Sequence, residues 1–465
     1  MAKASFLVAA ALLTPALAAS ERDFGGYRRH YQGYGVKTPA GRGGALIHVT
    51  NLNNSGEGSL QAALQTEGPR CIVFDVSGTI TLTTPIHVTS PFFTLAGQSG
   101  PSPGILVRNQ PIIIDTHDWV IQHIRLRLGD TTYPGPVPTS AGLYIRNYAY
   151  NFVLDHVSMS WSNSTYVTTA NTKGPQPQDG SMFECIISEQ IKNCPTESGG
   201  GFLLYAAPNT TFTFARNLFA HNGVRQPLIG AGNRVSHFNN VVYNAWGVGR
   251  DRGEAGMLNL TAMKSYTRSP FEVVSVHNVY IPGPSTHADQ TCVKFSLDEA
   301  HRTQGNQCYL EANTGPYITG PTGDGQWAST SYPHAGSSAD VRIDTIPSWH
   351  SDFNYRIIPN VGNAVRDAVL SNAGCRPTER STEDSGSNDI DACVVASVTA
   401  GTQPTRVPVA SVAARGGFPS LAENTSVWSD AANPNDVARG ETFRTNREVK
   451  LETEARALEA FQFIP

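Results

Sequence analysis

Short apolar runs with period-two alternation recur through the middle of the chain. Val120-Ile-Gln-His-Ile-Arg-Leu, Val153-Leu-Asp-His-Val-Ser-Met, Phe183-Glu-Cys-Ile-Ile-Ser, Phe214-Ala-Arg-Asn-Leu-Phe-Ala, Phe238-Asn-Asn-Val-Val-Tyr and Val274-Ser-Val-His-Asn-Val-Tyr are β-prone, and each is bounded by Gly, Asn, Asp or Pro. They return every ~20–40 residues, the spacing of solenoid coils. Aligned, they give one column of His123, His156, Cys185, Asn217, Asn240 and Asn278. The column before it, Gln122, Asp155, Glu184, Arg216, Asn239 and His277, is wholly polar, as an outward face should be. Equivalent residues of stacked coils lie about 4.8 Å apart, so inward Asn amides can bond along the stack.

The pattern predicts an all-β right-handed parallel β-helix (a solenoid) with long loops and a C-terminal helix. Segments 71–76, 79–82, 92–96 and 112–115 read as earlier coils. Beyond about residue 284 the pattern fades. Stretches 285–340 and 378–391 then read as loops over the solenoid, and 444–463 as a capping helix. A sandwich or propeller would need a tighter, more regular repeat. The expected organisation is a signal peptide over 1–18 and one domain over 19–465, with core coils at about 70–284 and C-terminal wrapping over 285–465.

Composition narrows the class. With 34 Lys+Arg against 38 Asp+Glu, a net charge of −4 offers no basic footprint for nucleic acid. The one long apolar run is N-terminal, where Lys3, residues 6–13 and Ala16-Leu17-Ala18 have the layout of a secretory signal, so a secreted, extracellular protein with no membrane span is expected. Asn-x-Ser/Thr sequons at Asn53, Asn163, Asn209, Asn259 and Asn424 suit an exported glycoprotein. Seven cysteines allow three disulfides. Proximity suggests Cys185–Cys194, Cys292–Cys308 and Cys375–Cys393, with Cys71 left over and other connectivities open.

Further motifs carry a family resemblance. Gly41-Arg-Gly-Gly with His48-Val-Thr-Asn-Leu-Asn-Asn-Ser-Gly-Glu-Gly-Ser-Leu resembles the N-terminal signature of secreted pectate lyases. So do Val73-Phe-Asp-Val-Ser-Gly-Thr-Ile, Leu95-Ala-Gly-Gln-Ser, Leu154-Asp-His-Val-Ser-Met-Ser-Trp and Arg216-Asn-Leu-Phe-Ala-His-Asn-Gly-Val-Arg-Gln-Pro. Such enzymes are right-handed parallel β-helices that cleave pectate or pectin by β-elimination in plant cell-wall degradation. The chemistry needs a base for the C5 proton and positive charge for the enolate-like intermediate. The resemblance assigns the base to Arg225, ahead of Gln226-Pro227. A free guanidinium is almost wholly protonated at neutral pH, so the role requires neighbouring positive charge and poor solvation.

The resemblance also implies calcium, yet its usual ligands are missing. Ser162-Asn163-Ser164-Thr165 follows Ser160-Trp161 where the family carries Asp-Glu, and no acidic residue occurs in Ser140-Ala141-Gly142-Leu143. Asp155 and Glu184 on adjacent coils are the candidates for a remnant metal site, with Asp130, Asp179 and Glu189 behind them. The other possibility is no cofactor, with Arg125, Arg127 or Arg146 stabilising the substrate carboxylate. Trp161 and the tyrosines 144, 148 and 150 offer sugar-stacking faces, and His221 completes the candidate substrate-binding set. The partner expected is an acidic cell-wall polysaccharide, bound by a monomer. Polygalacturonase-like hydrolysis would need paired-carboxylate motifs that the chain lacks. A catalytically impaired polysaccharide-binding or surface structural protein on the same fold is the alternative.

Overall fold

Except at the two ends of the coil stack, strands three apart in the chain lie side by side, and all of the ladders are parallel. One turn shows the unit. Trp119–Gln122 joins a ten-stranded sheet, Arg125–Arg127 an eight-stranded sheet and Leu143–Arg146 a nine-stranded sheet; Tyr150–Asp155 then returns to the first. Three sheets wound this way form a right-handed parallel β-helix, the hand that parallel crossovers take. This computed structural model describes residues 33–42, 44–129, 141–146, 149–162, 165–170, 178–191, 200–204, 210–246, 257–262, 269–351, 362–380, 389–403, 411–413, 418, 421 and 423–425. The signal-peptide segment and the expected helix over 444–463 lie outside the described residues.

Alternation decides what fills the interior. In Leu143–Arg146, Leu143 and Ile145 join the central core while Tyr144 and Arg146 alternate with them and face out. Phe93, Trp119 and Phe152 stack inside on three successive coils, with centroids 5.9 and 4.5 Å apart and planes within 12°. Coiling runs further than the pattern predicts at both ends: Ala45–Val49 begins the ten-stranded sheet and Gln307–Glu311 ends it. At the N-terminal end, Arg70 is fully buried and bonds the carbonyls of Ala63 and Leu64 near the C-terminus of helix Leu60–Gln65.

The aligned columns need a register correction. From the coil of Trp119–Gln122 onward, each turn leaving the ten-stranded sheet contains two residues, the first with positive φ: His123, His156, Glu184, Arg216, Asn239, His277 and Ala312. The second residues are Ile124, Val157, Cys185, Asn217, Asn240, Asn278 and Asn313. His123 and His156 therefore belong to the outward column, and Gln122 and Asp155 sit one residue earlier, at strand ends. The asparagine ladder is present. Asn217 Nδ2 donates to Asn240 Oδ1, Asn240 Nδ2 to Asn278 Oδ1, and Asn278 Nδ2 to Asn313 Oδ1, at 3.0, 3.0 and 2.9 Å. Each ladder amide also bonds a backbone carbonyl, such as Met182 O for Asn217, which satisfies groups that burial would otherwise penalise.

Two outer faces are covered. Segment 34–41 lies on the ten-stranded sheet, where Thr38 Oγ1 donates to Asp118 at 3.0 Å. Helices Asn363–Asn372 and Ile390–Ala400 lie on the eight-stranded sheet, packing Val365, Val369, Val394 and Val398 against Ile186, Leu218, Val241 and Val279. Each such fully buried aliphatic side chain contributes about 1.5–3 kcal/mol. Part of what composition reads as polar wrapping is thus a helical layer with its own apolar core.

Candidate functional site

Arg225 stands on the loop between strand Leu218–Ala220 of the eight-stranded sheet and Leu228–Gly230 of the nine-stranded sheet. Its backbone is left-handed, with φ +64°, and the next peptide, Gln226–Pro227, is cis. The side chain is half-buried. Below it run Gly200 and Gly201: Gly201 N–H donates to Val224 O at 2.9 Å and Phe202 N–H to Arg225 O at 2.8 Å. Buried amides brace the loop from inside. Gln190 Oε1 accepts from Gly223 N–H at 3.2 Å, and Asn222 Nδ2 donates to Ile187 O at 2.9 Å. Gln226 Nε2 donates to Asn222 O at 3.3 Å.

Most of the other expected site residues are elsewhere. Arg125 and Arg127 do not face a groove; they are 7% and 2% exposed, and Arg125 Nη1 donates to Pro103 O at 2.9 Å. Arg127 pairs with Asp391 at 2.7 Å, and Ser158 Oγ donates to the other carboxylate oxygen at 2.5 Å. Burial alone would raise the Asp391 pKa, but the charges of Arg127 and Arg125 hold it below its ordinary value. Trp161 is fully buried, and its indole N–H donates to buried Glu189 at 2.9 Å, which leaves no face for a sugar. His221 is fully buried as well. Asn244 Nδ2 donates to its Nδ1 at 3.0 Å and its Nε2 lies 2.7 Å from Ser397 Oγ. Arg146, half-buried, keeps an outward place on the nine-stranded sheet. Tyr144 is buried and Tyr150 exposed, the latter stacked on His117 at 4.4 Å.

The expected disulfides Cys292–Cys308 and Cys375–Cys393 are not formed. Cys71, Cys185, Cys292, Cys308, Cys375 and Cys393 are free thiols, and Cys194 lies outside the described residues. Cysteines close in sequence fall on different faces of one coil: Cys292 adjoins a strand of the nine-stranded sheet, and Cys308 lies in the ten-stranded sheet. The sequon at Asn259 is inside a strand and 2% exposed, whereas Asn53 is on an exposed loop.

Asp155 and Glu184 do converge, with His156 between them, their ligand atoms within 4.8 Å of one another. His156 Nδ1 lies 2.6 Å from Asp155 Oδ1 and Nε2 lies 3.0 Å from Glu184 Oε2. Gln122 Nε2 donates to Asp155 Oδ2 at 2.9 Å, and Arg216 Nε meets Glu184 Oε1 at 2.9 Å. Burial would lower the His156 pKa, but the two carboxylates offset it and raise it to about 10. The Asp155 carboxyl, pushed up by burial, is held well below its ordinary range by His156.

Those contacts decide the fit of calcium. Each of the four carboxylate oxygens lies within 3.0 Å of a nitrogen of His156, Gln122 or Arg216, so both carboxylates are already engaged. Calcium wants six to eight oxygen ligands, and this group offers two carboxylates and an imidazole nitrogen, a poor ligand for so hard a cation. The group therefore does not fit calcium. It also occupies the wrong corner, between the ten- and eight-stranded sheets. Along the sheet that Arg225 leads into, none of the nine strands contains Asp or Glu; their only Lys or Arg residues are Arg146 and Lys294.

No family model matches the chain. It is 32% identical over 256 residues to a probable pectate lyase C of Emericella nidulans, covering 55% of this chain and 53% of that one. A probable pectate lyase C of Aspergillus oryzae is 32% identical over 240 residues, covering 50% and 52%. The chain resembles pectate lyases. It spans about half the length of the curated relatives it matches. Among solved structures, the cedar-pollen allergen Jun a 1 superposes with a TM-score of 0.53 at 16% identity, over 74% of this chain and 92% of that one. That likeness is one of fold: the same right-handed solenoid. Within it, the pectate-lyase-like segments part company. Asp155-His156 builds an ion chain at one corner, and Arg225-Gln226-Pro227 builds a braced loop at another. Asn222 lies within the motif that carries Arg225, whereas Gln190 carries no signal in the sequence and Gly200 and Gly201 only that of a three-glycine run.

Proposed function

We propose that the protein is a secreted polysaccharide lyase that cleaves pectate or pectin by β-elimination, with Arg225 as the base. The observation that carries this reading is the braced left-handed loop presenting Arg225 beside a sheet free of carboxylates. In the reaction the guanidine takes the C5 proton of a uronate. The C5–H electrons form the C4–C5 double bond, the C4–O glycosidic bond breaks, the departing oxygen takes a proton from water, and the guanidinium returns its proton to solvent. Arg146, in an outward place three strands along that sheet from Leu228–Gly230, adds positive charge to the face along which a polyanion would lie. No strand of that sheet carries an acidic side chain that would repel a polyanion. The partner is an acidic cell-wall polysaccharide bound outside the cell by a monomer.

The test is ultraviolet absorbance of unsaturated uronate product from pectate and from methyl-esterified pectin. Wild type is expected to release product, and Arg225→Ala to lose on the order of 10²–10⁴-fold in rate, the usual range for a lost general base. An unchanged rate in that variant would remove Arg225 from the mechanism. The burial of Trp161, His221, Arg125 and Arg127 favours one other reading, a polysaccharide-binding protein without catalysis. Retention on a pectin column without any product would support it.

A further inference from the structure

A catalytic side chain on a loop needs that loop held to within a fraction of an ångström, because a 1 Å misplacement can cost about 10²-fold in rate. The floor beneath Arg225 is a glycine pair at the start of strand Gly200–Leu204. A Cβ on Gly200 would stand 2.1 Å from Val224 O and 2.8 Å from Arg225 Cβ. On Gly201 it would stand 2.5 Å from Arg225 O, the oxygen that accepts from Phe202 N–H. Neither glycine has positive φ, so backbone conformation does not demand them. Close approach does. The loop lies directly on the strand, in space that any other residue would fill.

The second support comes from within. Gln190, 1% exposed on the preceding coil, turns its Oε1 to Gly223 N–H, two residues before Arg225. Glycine floor and glutamine brace thus grip the backbone on both sides of Val224. Both act on the loop backbone and fix where the Arg225 Cα stands.

We propose that Gly201 and Gln190 are positioning residues for Arg225. The proposal rests on the lyase reading above. Its test compares Gly201→Ala, Gln190→Met and Gln190→Glu with wild type in kcat, KM and thermal midpoint. Gly97→Ala serves as control: its Cβ would lie 2.3 Å from His123 O, equally crowded but at another corner. Gly201→Ala is expected to lower kcat by about 10²-fold and Gln190→Met by about tenfold, with KM within about threefold. Gln190→Glu, which keeps the acceptor, is expected to restore kcat to within about threefold of wild type, and Gly97→Ala to keep kcat per folded molecule. If Gly201→Ala does not fold, the glutamine pair decides. Wild-type kcat in Gln190→Met, or a loss in Gly97→Ala as large as in Gly201→Ala, would overturn the proposal while leaving the lyase reading intact. Absence of unsaturated product from wild type would overturn both.

Discussion

His221 Nε2 lies 2.7 Å from Ser397 Oγ, joining the coil that carries Arg225 to the C-terminal helix Ile390–Ala400. Ser397 Oγ–H donates to Val394 O, which leaves its oxygen as acceptor for the imidazole Nε2–H. Its Nδ1 then accepts from Asn244. A histidine that the motif suggests for substrate is a strut between solenoid and wrapping. Ser397→Ala is expected to cost about 1–3 kcal/mol in urea unfolding, because a buried donor loses its acceptor, and to leave KM unchanged. A raised KM with unaltered stability would return His221 to the substrate.

The Arg127–Asp391 pair makes a stronger prediction. Asp391→Ala leaves Arg127 charged, buried and unpaired, which should cost about 3–5 kcal/mol. The double variant Arg127→Met with Asp391→Leu should recover most of that loss. If the single variant unfolds at the wild-type denaturant midpoint, the helix does not depend on this pair.

The His156 chain predicts alkaline lability. Its folded pKa, about 10, is raised above the ordinary value of 6.5. The stabilisation is therefore fully present below about pH 6.5 and is lost as pH rises through about 10. Thermal midpoints of wild type should fall across that window more steeply than those of His156→Gln. Parallel curves would separate the histidine from both carboxylates.

His237 predicts the opposite limb. It is fully buried inside the coils, 3.1 Å from Ser275 Oγ, and burial lowers its pKa from 6.5 to about 3. The unfolded chain binds the proton first, so stability drops as pH falls from about 6.5 towards 3. His237→Gln should flatten that acid slope, read as urea midpoint against pH. An unaltered slope would place the acid sensitivity elsewhere.

Calcium should leave the Asp155–His156–Glu184 group untouched, since every carboxylate oxygen there lies within 3.0 Å of a nitrogen. Millimolar calcium or chelator is expected to shift the thermal midpoint by less than about 1 °C, against the several degrees that a site bound at 100 times its Kd would add. A clear upward shift, absent in Glu184→Gln, would show that the group exchanges its proton for the cation.

What the residues alone establish is the solenoid, because its signals are local and repeated. Alternation in Val153–Met159 and Phe214–Ala220 fixes which side chains face in, and the recurring Asn217, Asn240 and Asn278 fix the turn at which coils stack. Arg225 is likewise legible, since its motif is contiguous. The register of His123 and His156 is not, because their coils place Ile124 and Val157 at the ladder position, where no amide marks the column. Nor does the sequence reveal that Arg127 and His221 lie under a helix begun more than 160 residues later. Polar side chains look the same in a sequence whether water or a distant helix solvates them. Only the tertiary structure, by choosing what covers each face, decides which charges are struts and which stand near the reaction.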